Sequence, residues 1–168
     1  ILMNILIIAG GTGGHVYPAL SIAQEFQDDG NTIFWIGKKN SLEENIALRE
    51  DFSFYPINAL GFLGKNFLAK IRSIFFLFAA LIRSFFLISN IKPDIIISTG
   101  GYLSLAPSLI GSLFCPLFIH EQNSIPGLTN RILHKRSKIT FEAFPETFNN
   151  LKNKVKCVGN PIRDDILN

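Results

Sequence analysis

The sequence predicts an α/β fold, in which a Rossmann-like parallel sheet carries helices on both faces. Short β-branched apolar runs alternate along the chain with longer segments of helical periodicity, and Gly, Pro or Asn separate them. Such alternation favours parallel strands joined by crossover helices. The 168 residues are 48% hydrophobic with a net charge of +3, which fits one buried core and excludes a disordered chain.

Taken in order, the elements predict one domain without repeats or low-complexity linkers. Strands are predicted at residues 4–9, 32–36, 53–57, 94–98, 117–120, 138–141 and 155–158, where apolar runs are short and bounded by turn-forming residues. Helical patterns are predicted at residues 18–29, 42–50, 66–91, 105–113 and 127–134. Pro18 suits the first turn of the first helix, because its fixed φ is compatible with a helix start.

The glycine-rich loop after the first strand is the most informative motif. Gly10, Gly11, Gly13 and Gly14 stand between an apolar run and a helix, and His15 follows them. Glycines let the backbone approach a ligand closely, and the open N–H groups of a helix start attract anions. The imidazole side chain titrates near neutral pH. We interpret the loop as a site for a diphosphate or a cluster of sugar hydroxyls, with a ligand-free tight turn as the alternative.

The commoner glycine motifs do not fit this loop. A dinucleotide fingerprint beginning at Gly11 would have Val16 at its third glycine, and the second strand leads into Gly37-Lys38 rather than an acidic residue. The phosphate loop of nucleotide triphosphatases ends in Gly-Lys-Ser/Thr, whereas the last glycine here precedes His15. A nicotinamide site and a triphosphatase site are therefore both disfavoured.

Two more polar loops follow later strands, at Gly100-Gly101-Tyr102 and at residues 120–123. Ligands of parallel sheets gather beyond the carboxyl ends of the strands, so the three loops should face one crevice. Turns and solvated strand ends are the plain alternatives for each loop taken alone. If the site is shared, the His15 imidazole should lie within a side chain's reach of the Glu121 carboxylate.

Disulfides, a secretory signal and a bound metal are not expected. Cys115 and Cys157 are far apart, and the start of the chain lacks the basic and small-residue regions of a signal peptide, which together favour a reducing cytoplasm. His120 and Glu121 are adjacent on a strand, so their side chains should point to opposite faces rather than to one metal ion. His134 stands in a basic run and is predicted to be a surface residue.

The apolar helix predicted at residues 66–91 is too interrupted by charge to span a bilayer. Its longest charge-free run is 73–82, well short of the roughly 20 residues required, and Arg83 follows it. At about 100° per residue, Arg72 and Arg83 lie within about 20° of each other. A different arc should pack on the sheet; its members are Ile71, Ile74, Phe78, Ile82 and Phe85.

Aromatic residues flank the arginine stripe of this helix. Phe75, Phe76 and Phe86, together with the basic residues Lys70, Arg72 and Arg83, fit a surface that rests on anionic lipid. A very apolar core helix is the alternative interpretation. A nucleic-acid partner is not expected, because the positive charge is modest and the basic residues are interleaved with an apolar helix rather than with exposed stacking platforms.

Five motifs in order resemble the N-terminal half of the MurG family of bacterial glycosyltransferases. They lie at residues 10–15, 100–102, 120–123, 127–130 and 159–163. The resemblance implies a GT-B enzyme, with two Rossmann-like halves facing a cleft. Residues 3–163 would form the acceptor-binding domain and 164–168 the start of the interdomain linker. The C-terminal donor-binding domain would lie outside this sequence, and the segment alone should be inactive.

The same resemblance implies an activity. Family members transfer N-acetylglucosamine from UDP-GlcNAc to the C4 hydroxyl of undecaprenyl-diphosphate-MurNAc-pentapeptide, with inversion, and so convert lipid I to lipid II in peptidoglycan biosynthesis. This activity serves cell-wall growth, cell shape and division. The protein would be cytoplasmic and peripheral on the inner face of the bacterial plasma membrane, without a cofactor or bound metal.

Roles for individual residues follow from the resemblance. His15 is the first candidate for the general base and Glu121 the second, although Glu121 could instead orient His15 or accept from a sugar hydroxyl. UDP-GlcNAc would be held by Thr12, Gly13, Gly14, Asn123 and Arg163. The acceptor diphosphate would be held by Gly10, Gly11, Gly100, Gly101, Tyr102 and Asn130. Another GT-B transferase for a lipid acceptor, or a non-catalytic nucleotide- or sugar-binding module, remain as alternatives.

Overall fold

The computed structural model describes residues 2–58, 67–148 and 154–161, with the backbone alone for 67–72. Within these ranges, seven parallel strands form one sheet in the order β3-β2-β1-β4-β5-β6-β7. The strands are β1 (Asn4–Ala9), β2 (Thr32–Gly37), β3 (Ser53–Pro56), β4 (Ile95–Gly100), β5 (Leu117–Glu121), β6 (Ile139–Glu142) and β7 (Val155–Cys157).

Five α-helices in the described ranges cover the sheet: α1 (Gly13–Asp28), α2 (Leu42–Arg49), α3 (Phe67–Ile91), α4 (Leu105–Gly111) and α5 (Leu128–His134). A short 3₁₀ turn, Tyr102–Ser104, precedes α4. The predicted class, a Rossmann-like parallel sheet with helices on both faces, is confirmed. All seven predicted strands exist, and their ends differ from the prediction by no more than two residues.

The core has two layers because alternate residues of a strand point to opposite faces of the sheet. Ile5 and Ile7 of β1 pack on the side of α1 and α2, whereas Leu6 and Ile8 pack on the side of α3, α4 and α5. Trp35 is fully buried in the first layer, and its indole N–H donates to the carbonyl of Ala9 at 3.1 Å. The side chain of Trp35 in β2 therefore fixes the end of β1 just before the glycine loop.

Helix α1 begins earlier than the sequence indicated. Its first residue is Gly13, and the N–H groups of His15 and Val16 both donate to the carbonyl of Thr12, at 3.0 and 3.1 Å. The prediction that Pro18 lies in the first turn is therefore wrong. The φ angle of proline suits a helix, so the ring is accommodated inside α1 and leaves the carbonyl of Gly14 without its usual donor.

Helix α3 packs against α4 and the core layer beneath it through an arc that the sequence did not indicate. Its buried residues are Ser73, Ala80, Ser84, Ile88 and Ile91. Small side chains let α3 pack closely on its main neighbour, α4, and the hydroxyl of Ser84 is satisfied by the carbonyl of Ala80 at 2.6 Å. The arc that was predicted to pack is exposed at Ile74, Phe78, Ile82 and Phe85, so that prediction is wrong; Ile71 lies outside the described side chains.

The residues predicted to face a membrane are only partly described. Phe75 and Phe86 are 72% and 62% exposed, and Arg83 is exposed as well. Phe76 is half-buried, and the side chains of Lys70 and Arg72 lie outside the described residues. The aromatic surface is thus present in the structure at two of its three predicted positions.

One helix of the described chain is long and apolar enough to cross a membrane. This segment, Ser73–Ile91, has 19 residues and a mean hydropathy of 2.1, although the sequence analysis judged it too interrupted. In the fold it is the crossover between β3 and β4, with Ala80, Ile88 and Ile91 in the core beneath it. The segment therefore meets the length and composition criterion while it serves as a crossover helix of the fold.

Candidate active site

Three loops meet at the carboxyl edge of the sheet, where β1, β4 and β5 end. The first two are in contact: a Cβ on Gly101 would lie 2.5 Å from the carbonyl oxygen of Gly10. A Cβ on Gly11 would lie 3.8 Å from the ring of Tyr102. The backbones of both loops therefore form one surface, at the edge that the sequence analysis predicted.

Glycine is required at the end of β4. Gly100 and Gly101 have φ angles of +93° and +89°, which L side chains rarely adopt. A Cβ on Gly100 would also lie 2.9 Å from the side-chain amide of Asn130. This turn is therefore fixed both by its backbone conformation and by the buried amide beneath it.

His15 is clamped to the end of β4 by a reciprocal pair of hydrogen bonds. Its Nδ1 lies 2.9 Å from the carbonyl oxygen of Thr99, and the Thr99 hydroxyl donates to the carbonyl of His15 at 2.8 Å. The side-chain amide of Gln122 also contacts Nδ1. Within the described part of the chain, Nε2 of His15 has no hydrogen-bond partner. The imidazole is thus fixed through one nitrogen and open at the other.

Glu121 is buried and its carboxylate is fully occupied. Oε1 accepts from the backbone and side-chain N–H groups of Asn123, at 3.0 and 2.9 Å. Oε2 accepts from the backbone of Gly127 and the side chain of Asn130, each at 3.0 Å. Among the described residues, Glu121 does not hydrogen-bond to the imidazole, since His15 contacts Thr99 and Gln122 instead, and the predicted reach between the two side chains stays a prediction. This geometry makes His15 the stronger candidate for a base and gives Glu121 the task of shaping a loop.

The remaining predicted site residues divide by exposure. Those open to a ligand are Gly11, Thr12, Gly14, Tyr102 and Asn123, and Gly13 and Gly101 are half-buried. Gly10, Gly100 and Asn130 are buried, so they can shape the loops but present little surface to a ligand. Arg163 lies outside the described residues.

His120, on the other face of β5, anchors the segment that follows β7. Its Nε2 lies 3.0 Å from the carbonyl of Gly159, and the side chain of Asn160 donates to the carbonyl of Gln122 at 3.4 Å. Burial lowers the pKa of His120, against the opposing effects of the Gly159 hydrogen bond and the charge of Glu121. The sequence showed a polar strand end here but gave no signal for a contact 39 residues away.

His134 is buried, so the prediction of a surface residue is wrong. Its Nδ1 lies 2.7 Å from the Thr140 hydroxyl, and its ring stacks on Phe148 with centroids 4.6 Å apart. The basic run surrounds it, but the last turn of α5 directs this one side chain toward β6. Burial and then the charge of Lys154 lower the pKa of His134, while Glu142 opposes them.

The described residues include no group of three or more His, Cys, Asp or Glu side chains that could hold a metal ion. Cys115 and Cys157 are both free. The polar groups that converge at the edge of the sheet are instead an imidazole, amides, a tyrosine and open backbone N–H groups. These groups suit a ligand rich in oxygen atoms, such as a diphosphate or a sugar.

This fold and its loops match the class of nucleotide-sugar transferase domains. The model of the glycosyltransferase family 28 N-terminal domain covers residues 5–142, so the chain belongs to glycosyltransferase family 28. It is 41% identical over 165 residues to the UDP-N-acetylglucosamine--N-acetylmuramyl-(pentapeptide) pyrophosphoryl-undecaprenol N-acetylglucosamine transferase of Coxiella burnetii. That match covers 98% of this chain and 46% of the relative.

Further comparisons agree with this assignment. The transferase of the same name from Haemophilus ducreyi is 40% identical, with 97% of this chain and 45% of the relative covered. The crystal structure of Acinetobacter baumannii MurG superposes with a TM-score of 0.82 at 29% identity, covering 96% of this chain and 47% of that one. The resemblance to the MurG family is confirmed, and the chain spans about half the length of the relatives that it matches.

Proposed function

We propose that this chain is the acceptor-binding half of an inverting N-acetylglucosaminyltransferase. The full enzyme would transfer N-acetylglucosamine from UDP-GlcNAc to the C4 hydroxyl of undecaprenyl-diphosphate-MurNAc-pentapeptide, converting lipid I into lipid II. The observation that carries the proposal is 41% identity, over 98% of the chain, to a transferase whose name states this donor, this acceptor and the transferred group. A C-terminal domain that holds most of the donor would complete the enzyme.

The reaction needs one base. The C4 hydroxyl attacks the anomeric carbon, the bond from that carbon to the diphosphate breaks, and UDP leaves with the bonding electron pair. A base must take the hydroxyl proton during the attack, a contribution of roughly 10²–10⁴-fold in rate. His15 is our candidate, supported by its fixed imidazole with one open nitrogen at the meeting point of the loops.

Binding of the phosphorylated substrates would use the first loop and the start of α1. The N–H groups of Gly13 and Gly14 lie at the positive end of a 16-residue helix, where negative charge is stabilised. We assign Thr12, Gly13, Gly14 and Asn123 to the donor, and Gly11, Gly101 and Tyr102 to the acceptor. We propose a reaction without a protein-bound metal, because the positive end of the helix can stabilise the negative charge of the leaving diphosphate. Arg163 is assigned to binding of UDP-GlcNAc only because of the resemblance to the MurG family.

Attachment to the membrane would use the exposed aromatic patch of α3, defined here as Ile74, Phe75, Phe78, Ile82, Phe85 and Phe86. Phe114, in the segment after α4, extends the patch, since its ring centroid is 5.6 Å from that of Phe85. Contiguous exposed apolar surface with a cation beside it, here Arg83, is typical of a protein that rests on lipid. We propose peripheral binding to the anionic inner face of the plasma membrane.

A transfer assay tests the proposed function. The full-length protein is incubated with radiolabelled UDP-GlcNAc and a short-chain lipid I analogue, and the product is separated and its linkage determined. We expect a β-linked disaccharide on the lipid carrier. The matched control is the 4-deoxy analogue of the acceptor, which should give no product. Binding of both substrates without transfer would instead support the non-catalytic module.

A further inference from the structure

We infer that Gln122, together with the carbonyl of Thr99, holds His15 in the Nδ1–H tautomer, so that Nε2 is the atom that removes the acceptor's proton. The catalytic part of this inference rests on the proposed transfer reaction. The tautomer itself is a property of the protein, and it can be measured without either substrate.

The contact between His15 and Thr99 determines which ring nitrogen carries the hydrogen. A carbonyl oxygen can only accept a hydrogen bond, and it lies 2.9 Å from Nδ1 of His15. The hydrogen must therefore be on Nδ1. A neutral imidazole carries one N–H, so the lone pair available to a substrate is on Nε2.

The Gln122 side chain makes a second contact to this nitrogen. Its Nε2 lies against the same Nδ1, so two donors would face each other, while its Oε1 is buried without a hydrogen-bond partner in the described chain. Because the oxygen and nitrogen of an amide are nearly the same size, the surrounding hydrogen bonds decide which of them faces the ring. We therefore assign the amide with Oε1 toward His15, so that the Nδ1–H is shared between two acceptors and no two donors meet.

The His15 ring and the Gln122 side chain are both held in place by their surroundings. The Thr99 hydroxyl holds the backbone of His15 at 2.8 Å, and a Cβ on Gly101 would lie 3.6 Å from Cδ2 of the ring. Gln122 is 9% exposed, and it directly follows Glu121, whose four hydrogen bonds order the next loop. The imidazole therefore has its Nδ1 edge against protein and its Nε2 edge toward the loops that bind substrate.

The proton balance gives Gln122 a role during the reaction. As the C4 oxygen bonds to the anomeric carbon, its proton moves to Nε2 and the imidazole becomes a cation. The bonds from Nδ1–H to the Thr99 carbonyl and to Gln122 Oε1 are then made by a charged donor, and such bonds are stronger than neutral ones. Gln122 is in this sense a positioning residue that also stabilises the imidazolium.

Two substitutions in the full-length protein test this role. Gln122→Met removes the acceptor at similar volume, and we expect kcat to fall about tenfold, the effect of one hydrogen bond to a charged group, while KM for UDP-GlcNAc stays within about twofold. Gln122→Glu places a carboxylate beside the ring and favours the imidazolium. The acid limb of the kcat/KM profile should then move up by about one pH unit.

Controls separate these effects from a change in folding. Gln24→Met and Gln27→Glu make the same chemical changes on α1, beyond the first turns that carry His15, and should leave both parameters as in the wild type. Thermal unfolding of each variant shows whether the fold is intact. An unshifted acid limb in a folded Gln122→Glu variant would overturn the positioning role.

The tautomer is read directly by NMR on the wild-type protein labelled with ¹⁵N-histidine, with His15 assigned by its loss in His15→Asn. We expect Nδ1 to be protonated and Nε2 to be bare at neutral pH. Protonation at Nε2 overturns the inference even when transfer is active. A bare Nε2 in a protein that fails to transfer N-acetylglucosamine would leave the tautomer standing and reject the proposed function.

Discussion

The backbone N–H of Gly127 donates to the carboxylate of Glu121 at 3.0 Å, and this bond closes the loop between β5 and α5 onto the end of the strand. Asn123 and Asn130 donate to the same carboxylate from other parts of the loop and helix. One buried side chain therefore determines the shape of a loop that carries a proposed donor ligand. Substitution of Glu121 separates this structural role from a role as the base.

Glu121→Gln should lower the free energy of unfolding by about 1–3 kcal/mol, because an amide N–H₂ would face groups that are themselves donors. Circular dichroism during urea unfolding of the full-length protein measures this loss, with the exposed Glu25→Gln on α1 as the control. A variant with normal stability and much lower kcat would contradict the structural role and return Glu121 to the list of bases.

His15→Ala should lower kcat by about 10²–10⁴-fold, the usual contribution of a general base. The affinity for UDP-GlcNAc should change little, because the imidazole is not among the groups proposed to hold the donor. Steady-state transfer rates and calorimetric titration with UDP-GlcNAc measure the two effects. Unchanged turnover would remove His15 as the base.

Gly100→Ala should destabilise the protein by more than about 2 kcal/mol. The φ angle of +93° strains any L side chain, and the new methyl group would meet the amide of Asn130 at 2.9 Å. Gly127→Ala is the matched control, since Gly127 has φ of −63° and no atom within 4 Å of a Cβ. Melting temperatures of the two variants should differ by several degrees; equal values would contradict the packing described for β4.

A Phe75→Ser, Phe86→Ser double variant should bind anionic liposomes at least tenfold more weakly, because both rings are largely exposed and each would contribute buried apolar area. Leu48→Ser is the control, with a side chain 67% exposed on α2, outside the aromatic patch. Sedimentation with phosphatidylglycerol vesicles measures the affinity. Equal binding by a folded double variant would show that α3 does not meet the lipid.

His120 should make the fold less stable at acid pH. Because burial lowers its pKa in the folded state, protons bind the unfolded chain more tightly, and stability falls as pH drops below the unfolded value of about 6.5. His120→Gln keeps an N–H for the Gly159 carbonyl and removes the titration. Urea midpoints between pH 7.5 and 5.5 should fall less steeply in this variant, with His134 retaining part of the slope. An unchanged slope would contradict the assignment.

The sheet was predictable from sequence because each buried parallel strand is a short apolar run between turn residues. Its least accurate strand end was that of β4, which continues to Gly100 where glycines normally mark a break. Gly100 still pairs with Ala9, after a shift in register between Ile8 and Ala9. The start of α1 was missed for a related reason, since glycine is a poor helix former and the clamp between His15 and Thr99 is a tertiary contact.

The orientation of α3 could not be predicted from periodicity because the helix is apolar nearly all round. Two arcs satisfied the same spacing, and the buried one is distinguished by small residues such as Ser73 and Ala80, which have little hydrophobicity of their own. Close packing against α4, rather than apolar area, distinguishes the arc that is covered.

For the site, the sequence indicated the loops but not the hydrogen bonds that hold them together. The sequence alone shows a glycine loop, a histidine and a polar strand end, and each of them lies at the predicted edge of the sheet. The contact to His15 from Thr99 is made by a backbone carbonyl, which every residue type has, so no motif could indicate it. The partners of Glu121 depend on the course of the loop, which only the folded chain defines.

Trp35 is the only tryptophan among the 168 residues, and its indole is tied to the residue just before the glycine loop. The sequence therefore has a single tryptophan fluorophore, and it lies next to the candidate site. Its emission spectrum and lifetime should respond when a nucleotide or a lipid carrier reorders the first loop, so ligand titrations of this domain need no added dye.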